Sequence, residues 1–193
     1  TTPGTDAVMW PIMPIPVSEK APFLNSCDDP GATTAQAIPL ESIQVEPGEY
    51  LYLEAAYDTP RTWETVGVFS ASDEIKVETE EIPAGEGEPP LILVKRTVTD
   101  AIPMGANLIW GRSFASPVTQ KCDGIPTDIA QDYHLLEGAF LKVPDGATHL
   151  FLGMASDYYD DNGDGEVRVR SSKWYAPEWH DMHQPVSPAG RRR

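Results

Sequence analysis

Cysteine is scarce in this chain: Cys27 and Cys122 are the only two among 193 residues. Their spacing offers neither a zinc motif nor a redox Cys-x-x-Cys pair. Basic residues are also few, with 14 Lys and Arg against 30 Asp and Glu, a net charge of -16. That balance argues against nucleic-acid binding, which needs a basic face to displace counterions. The terminal Arg191-Arg192-Arg193 is too short to reverse it. No apolar run is long enough to span a membrane. No long window keeps apolar residues at helical spacing without an interrupting proline or glycine. Catalytic signatures are missing as well: there is no Gly-x-Ser-x-Gly elbow, no His-Glu-x-x-His and no glycine-rich phosphate loop. A non-enzyme is expected.

What the chain does have is 19 prolines and 15 glycines, which favour short strands and turns. Alternating or apolar segments fall at Ile38 to Ala56, around a Pro47-Gly48 turn, and at Glu64 to Ser70. Others are Ile75 to Val77, Leu91 to Val98, Asn107 to Trp110, Leu135 to Val143, Thr148 to Met154 and Val167 to Arg170. Along Tyr50 to Leu53, Leu51 and Leu53 face one side and the tyrosines the other. Short strands with turn signals between them predict an all-β antiparallel sandwich or jelly roll.

Three regions are expected: an extended Pro-rich arm over 1–35, a sandwich over 36–172 and an aromatic, basic tail over 173–193. In the arm, Trp10 to Val17 carries three prolines, which forbid a helix or a central strand. So apolar a segment needs a cover, either on its own domain or on a neighbouring copy, and the latter gives a route to self-association and oligomers. Cys27 and Cys122 each lie in polar, turn-like settings and read as a disulfide between two loops. The chain opens at Thr1 without a visible signal peptide. With a disulfide, it is expected as an exported protein, extracellular or at a cell surface, with its signal removed.

The densest chemistry lies at Asp157 to Glu166, where Asp157, Asp160, Asp161, Asn162, Asp164 and Glu166 crowd ten residues. Carboxylates this close repel one another unless a cation neutralises them, and hard oxygens in a Gly-punctuated loop suit calcium. Asp160-x-Asn162-x-Asp164-Gly165 matches the first half of an EF-hand loop. The twelfth position, however, is Ser171, and the flanks look like strands, so an EF-hand is not expected. Asp145 and Asp58 are further oxygen donors that only spatial proximity can recruit. His180-x-x-His183 lacks a third ligand nearby, and His134 and His149 carry no motif.

The run Val143-Pro144-Asp145-Gly146-Ala147-Thr148-His149-Leu150-Phe151-Leu152-Gly153, followed by Asp157, Tyr158-Tyr159, Asp161-Asn162 and Val167-x-Val169, resembles the C-terminal half of PA-IL-like domains. That family includes calcium-dependent, galactose-binding lectins on a small jelly-roll sandwich. A weaker likeness falls at Ile43-x-Val45-x-Pro47-Gly48. The resemblance implies that Asp157, Asp161 and Asn162 hold calcium, with carbonyls from Tyr158 and from Tyr57. It also implies a glycan ligand that meets the same ion through two hydroxyls, near Asp161 and Asn162. Trp63 is the best placed of the tryptophans to stack on a sugar. Asp160 and Asp164 depart from the family pattern, adding carboxylates to the metal set and competing with a sugar for positions. Carbohydrate binding is the function expected, and a structural or adhesive subunit with a structural calcium is the alternative.

Overall fold

The computed structural model describes residues 10–56, 64–113, 132–135, 137–156 and 158–174. Within them the strands are β1 (Trp10–Ser18), β2 (Ser26–Cys27), β3 (Ala37–Pro39), β4 (Tyr50–Ala56), β5 (Glu64–Ser70), β6 (Ile75–Ile82) and β7 (Leu91–Val98). They continue as β8 (Ala101–Ile102), β9 (Leu108–Trp110), β10 (Arg112–Ser113), β11 (Tyr133–His134), β12 (Ala139–Lys142), β13 (His149–Ala155) and β14 (Glu166–Trp174). Two single 3-10 turns, Leu40–Ile43 and Gly105–Asn107, are the only helical pieces among the described residues. No helix there is long and apolar enough to cross a membrane.

The strands pair antiparallel in three sheets. The first runs β1-β14-β4-β12-β9, and the second β10-β11-β5-β13-β3 with β8 also on β5. The third, β2-β7-β6, is smaller. The first two sheets share one core. Ile15, Val17, Leu51, Leu53, Leu141, Val167 and Val169 from the first meet Phe69, Leu150, Leu152 and Met154 from the second. The period-two pattern of β4 shows why, since Leu51 and Leu53 are fully buried while Tyr50 and Tyr52 are half-buried on the other face. Each buried leucine stabilises the sandwich by roughly 1.5–3 kcal/mol.

The second sheet is buried on both faces. Alternate residues of β13 and β5 (Phe151 and Ala155, Val66 and Val68) form a second cluster with Phe23, Leu24, Ala35 and Val98. Gly153 makes the close approach possible, because a Cβ there would stand 3.0 Å from the Ala21 carbonyl and from the Phe23 ring. Residues 21–35 therefore lie across the outer face of this sheet. Buried Arg96 of β7 fastens them, donating from Nη1 to the Leu24 carbonyl (3.1 Å) and the Ser26 hydroxyl (3.0 Å), and from Nε to the Thr34 hydroxyl (3.2 Å).

The apolar arm expected over 1–35 finds its cover, over the described residues, on its own domain. Its described part is woven into the sandwich, with Trp10–Ser18 as the edge strand of the first sheet, paired along β14 across an irregularity between Ile12 and Ile15. The Glu19 N–H donates to the Gly165 carbonyl (3.2 Å), which makes Glu19 and Gly165 a hydrogen-bonded pair. Counting back by twos along the register, Ile15 and Val17 also turn their amides toward β14, and Pro16 faces outward. Its missing N–H thus falls on the unpaired edge, where proline is tolerated.

The two strands expected over Ile38 to Ala56 become one short strand, a 3-10 turn and β4. A strand of Leu135 to Val143 contracts to Ala139–Lys142. The turn at Pro144-Asp145-Gly146 is present, with Gly146 at φ 82° and the Ala147 N–H donating to the Pro144 carbonyl (3.2 Å).

Candidate functional site

The acidic loop joins β13 to β14, so strands flank it and Ser171 lies buried within β14. No EF-hand architecture surrounds it. The loop folds back on two segments that sequence reasoning did not connect to it: Glu19-Lys20, just after β1, and the turn Asp28-Asp29-Pro30-Gly31.

Tyr159 is the loop's buried anchor. Its hydroxyl donates to the Met154 carbonyl (2.7 Å) and accepts from the Ser156 N–H (3.3 Å), while its own N–H donates to the Asp29 carboxylate (2.5 Å). Gly31 presses so near that a Cβ would stand 2.4 Å from the Asp160 Cα. At the other end, the Lys20 ammonium pairs with the Asp164 carboxylate at 2.9 Å. That bond raises the Lys20 pKa and lowers the Asp164 pKa. Tyr158 is 39% exposed, and its phenol is pushed up, first by partial desolvation and then by Asp160, Asp29, Asp161 and Asp28.

Asn162 is the informative residue, with only 4% of its surface exposed. Its Nδ2 donates to the Glu19 carbonyl (2.7 Å), and its Oδ1 is buried without a hydrogen-bond partner. Glu19 is itself buried, at 3% exposure. Its carboxylate oxygens lie 3.0 Å from where Cβ atoms on Gly163 and Gly165 would stand, so the two glycines make room for them. Asp160 and Asp161 are exposed, and no Lys or Arg among the described residues forms an ion pair with them.

Of the residues expected to hold calcium, the structure brings Tyr158, Asp160, Asp161, Asn162 and Asp164 into this loop. Asp164 is engaged by Lys20, and the Tyr158 carbonyl accepts from the Ser156 hydroxyl (2.8 Å). Asp157, Tyr57, Asp58, Trp63, Cys122, His180 and His183 lie outside the described residues. Cys27 ends β2 and is disulfide-bonded. Among the described residues no three His, Cys, Asp or Glu side chains converge as a metal-ligating group. Calcium takes amide and carbonyl oxygens as well as carboxylates. The unmatched Asn162 oxygen is such a donor.

The signals for Glu19 and Asp29 were present as residue types, a lone Glu after the Pro-rich strand and an Asp-Asp-Pro-Gly turn. Nothing local ties them to a loop some 130 residues away. Among known proteins, no family model, curated sequence or solved structure gives a significant match to this chain.

Proposed function

We propose that this protein is a calcium-dependent, lectin-like carbohydrate-binding module, exported and cross-linked through Cys27 and Cys122. The observation that carries this reading is the buried, unpartnered amide oxygen of Asn162 beneath exposed carboxylates. A buried acceptor without a partner costs about 1–3 kcal/mol, and a bound cation removes that cost. Asp161, Asn162 and Asp157 are the residues assigned to calcium, with Asp160 and the carbonyls of Tyr158 and Tyr57 beside them. Calcium, when bound, supplies a hard centre that a pair of vicinal sugar hydroxyls can meet from the exposed side. The Tyr158 ring, exposed next to Asp160 and Asp161, offers a face for the CH groups of a pyranose, a part assigned from sequence to Trp63. The resemblance to PA-IL-like domains supports the same assignment.

A glycan array read with calcium and again with chelator tests it. Retention of a defined set of glycans in calcium, lost on chelation, is the expected result. An array blank in both conditions sinks the carbohydrate reading.

One observation favours a second reading, a structural or adhesive subunit whose calcium only holds the fold. Asp164 is already neutralised by Lys20, and the loop is clamped to the end of β1. In that case calcium raises the melting temperature while the array stays blank.

A further inference from the structure

We propose that the open edge of β6 is a docking strand, and that it takes up an extended, Lys- or Arg-bearing segment of another protein as a further strand of the third sheet.

A sheet edge is a template for strand addition unless it is short, interrupted by proline or covered. Other edges of this protein are blunted in those ways. β2, β3, β9 and β10 run only two or three residues each. β1 is long but carries Pro11, Pro14 and Pro16. Among the described residues β6 is the exception. It runs eight residues without a proline, and β7 is its one partner in the sheet. Lys76 to Thr79 and Glu81 are exposed.

The register shows which backbone groups face outward. The Thr99 N–H donates to the Glu74 carbonyl (3.0 Å), so these two residues, next in line with the β6–β7 ladder, form a hydrogen-bonded pair. Counting by twos, Lys76, Glu78 and Glu80 turn their amides and carbonyls to β7, while Val77, Thr79 and Glu81 turn theirs to the open side. The far side of β7 agrees, since Ile92, opposite Glu81, offers its carbonyl to the Asp28 N–H (2.8 Å). Three consecutive outward residues thus present a donor and an acceptor each, the pattern that an added strand meets with its own backbone.

Charge selects the occupant. Glu74, Glu78, Glu81, Glu86 and Glu88 stand along this hairpin, with Lys76 as the exposed base among them. Lys95 pairs with Glu80, whereas no Lys or Arg among the described residues forms an ion pair with Glu78 or Glu81. A second copy of this chain, of net charge -16, would set carboxylates against carboxylates across the new ladder, which is destabilising. A strand bearing Lys or Arg places opposite charges there. Side chains alternate between faces, so a basic residue beside Glu78 leaves its neighbours beside Val77, which is 51% exposed and suits an aliphatic partner.

Titration of the full chain with a short synthetic peptide of alternating lysine and valine tests the proposal, with a glutamate-valine peptide as control. Thr79→Pro removes one outward N–H and leaves the bonds to β7 in place. The wild type is expected to bind the basic peptide and not the acidic one, and Thr79→Pro to weaken binding by about tenfold, as loss of a backbone hydrogen bond and a clash with the added strand imply. No binding by the wild type, equal binding of both peptides, or equal affinity in Thr79→Pro overturns the proposal. Concentration-dependent self-association through β6 in the absence of peptide also overturns it, because the occupant is then a second copy. If Thr79→Pro does not fold, amide hydrogen exchange in the wild type decides. The Val77, Thr79 and Glu81 amides become protected on peptide addition if the strand is added, and unchanged exchange at these three with peptide bound overturns the proposal.

Discussion

Asn162 sends its two polar atoms to different fates, and the difference is measurable. Its amide nitrogen is satisfied by the Glu19 carbonyl, while its amide oxygen is buried and unmatched. Asn162→Ala removes both atoms. In chelator the variant loses one hydrogen bond but also sheds one unsatisfied acceptor, so its stability should stay within about 1 kcal/mol of wild type. In calcium it should lose most of the stabilisation that the ion confers. Thermal unfolding in both solutions checks this, and an unchanged calcium increment contradicts the role given to the amide oxygen. At this scale the sequence showed only half of the site. The cluster from Asp157 to Glu166 stands out because its members are adjacent. Glu19 did not, because burial and the bond to Asn162 join residues 143 positions apart. Nothing in the composition around Glu19 distinguishes it from any solvated glutamate.

Two strands were legible to the residue, Glu64–Ser70 and Leu91–Val98, each with an apolar stretch bounded by turn residues. β6 was expected only over Ile75 to Val77 but runs to Ile82, because β7 pairs with its acidic half along the whole register. An ion pair between Lys95 and Glu80 helps that half to lie on a sheet. The opposite difficulty arose at β1, where three prolines suggested an arm. Proline is excluded only from positions whose N–H must pair, and Pro16 faces the open edge. The edge strand is therefore short of donors there, which discourages another chain from adding to it. Pro16→Thr restores an outward N–H and should promote concentration-dependent self-association, seen by sedimentation velocity. A variant that sediments like wild type at all concentrations contradicts this account of the edge.

Across the whole molecule, the organising fact is that one sheet is covered on both faces. β13 reads as a nearly continuous apolar run, His149–Ala155, because the first sheet covers one side and residues 21–35 cover the other. That double cover brings Asp28 and Asp29 to the loop that follows β13, and the pairing of β1 with β14 brings Glu19 to the same place. The site is a product of this topology, which is why only its contiguous part could be read beforehand. In a chain of net charge -16, several carboxylates also meet at one loop, and the proposed divalent ion would reduce their repulsion. Equilibrium calcium binding to the wild-type chain by titration calorimetry tests that claim most directly. The account predicts saturable binding of calcium at the loop, with a higher melting temperature in calcium than in chelator. A flat titration with identical melting curves in the two solutions would contradict it.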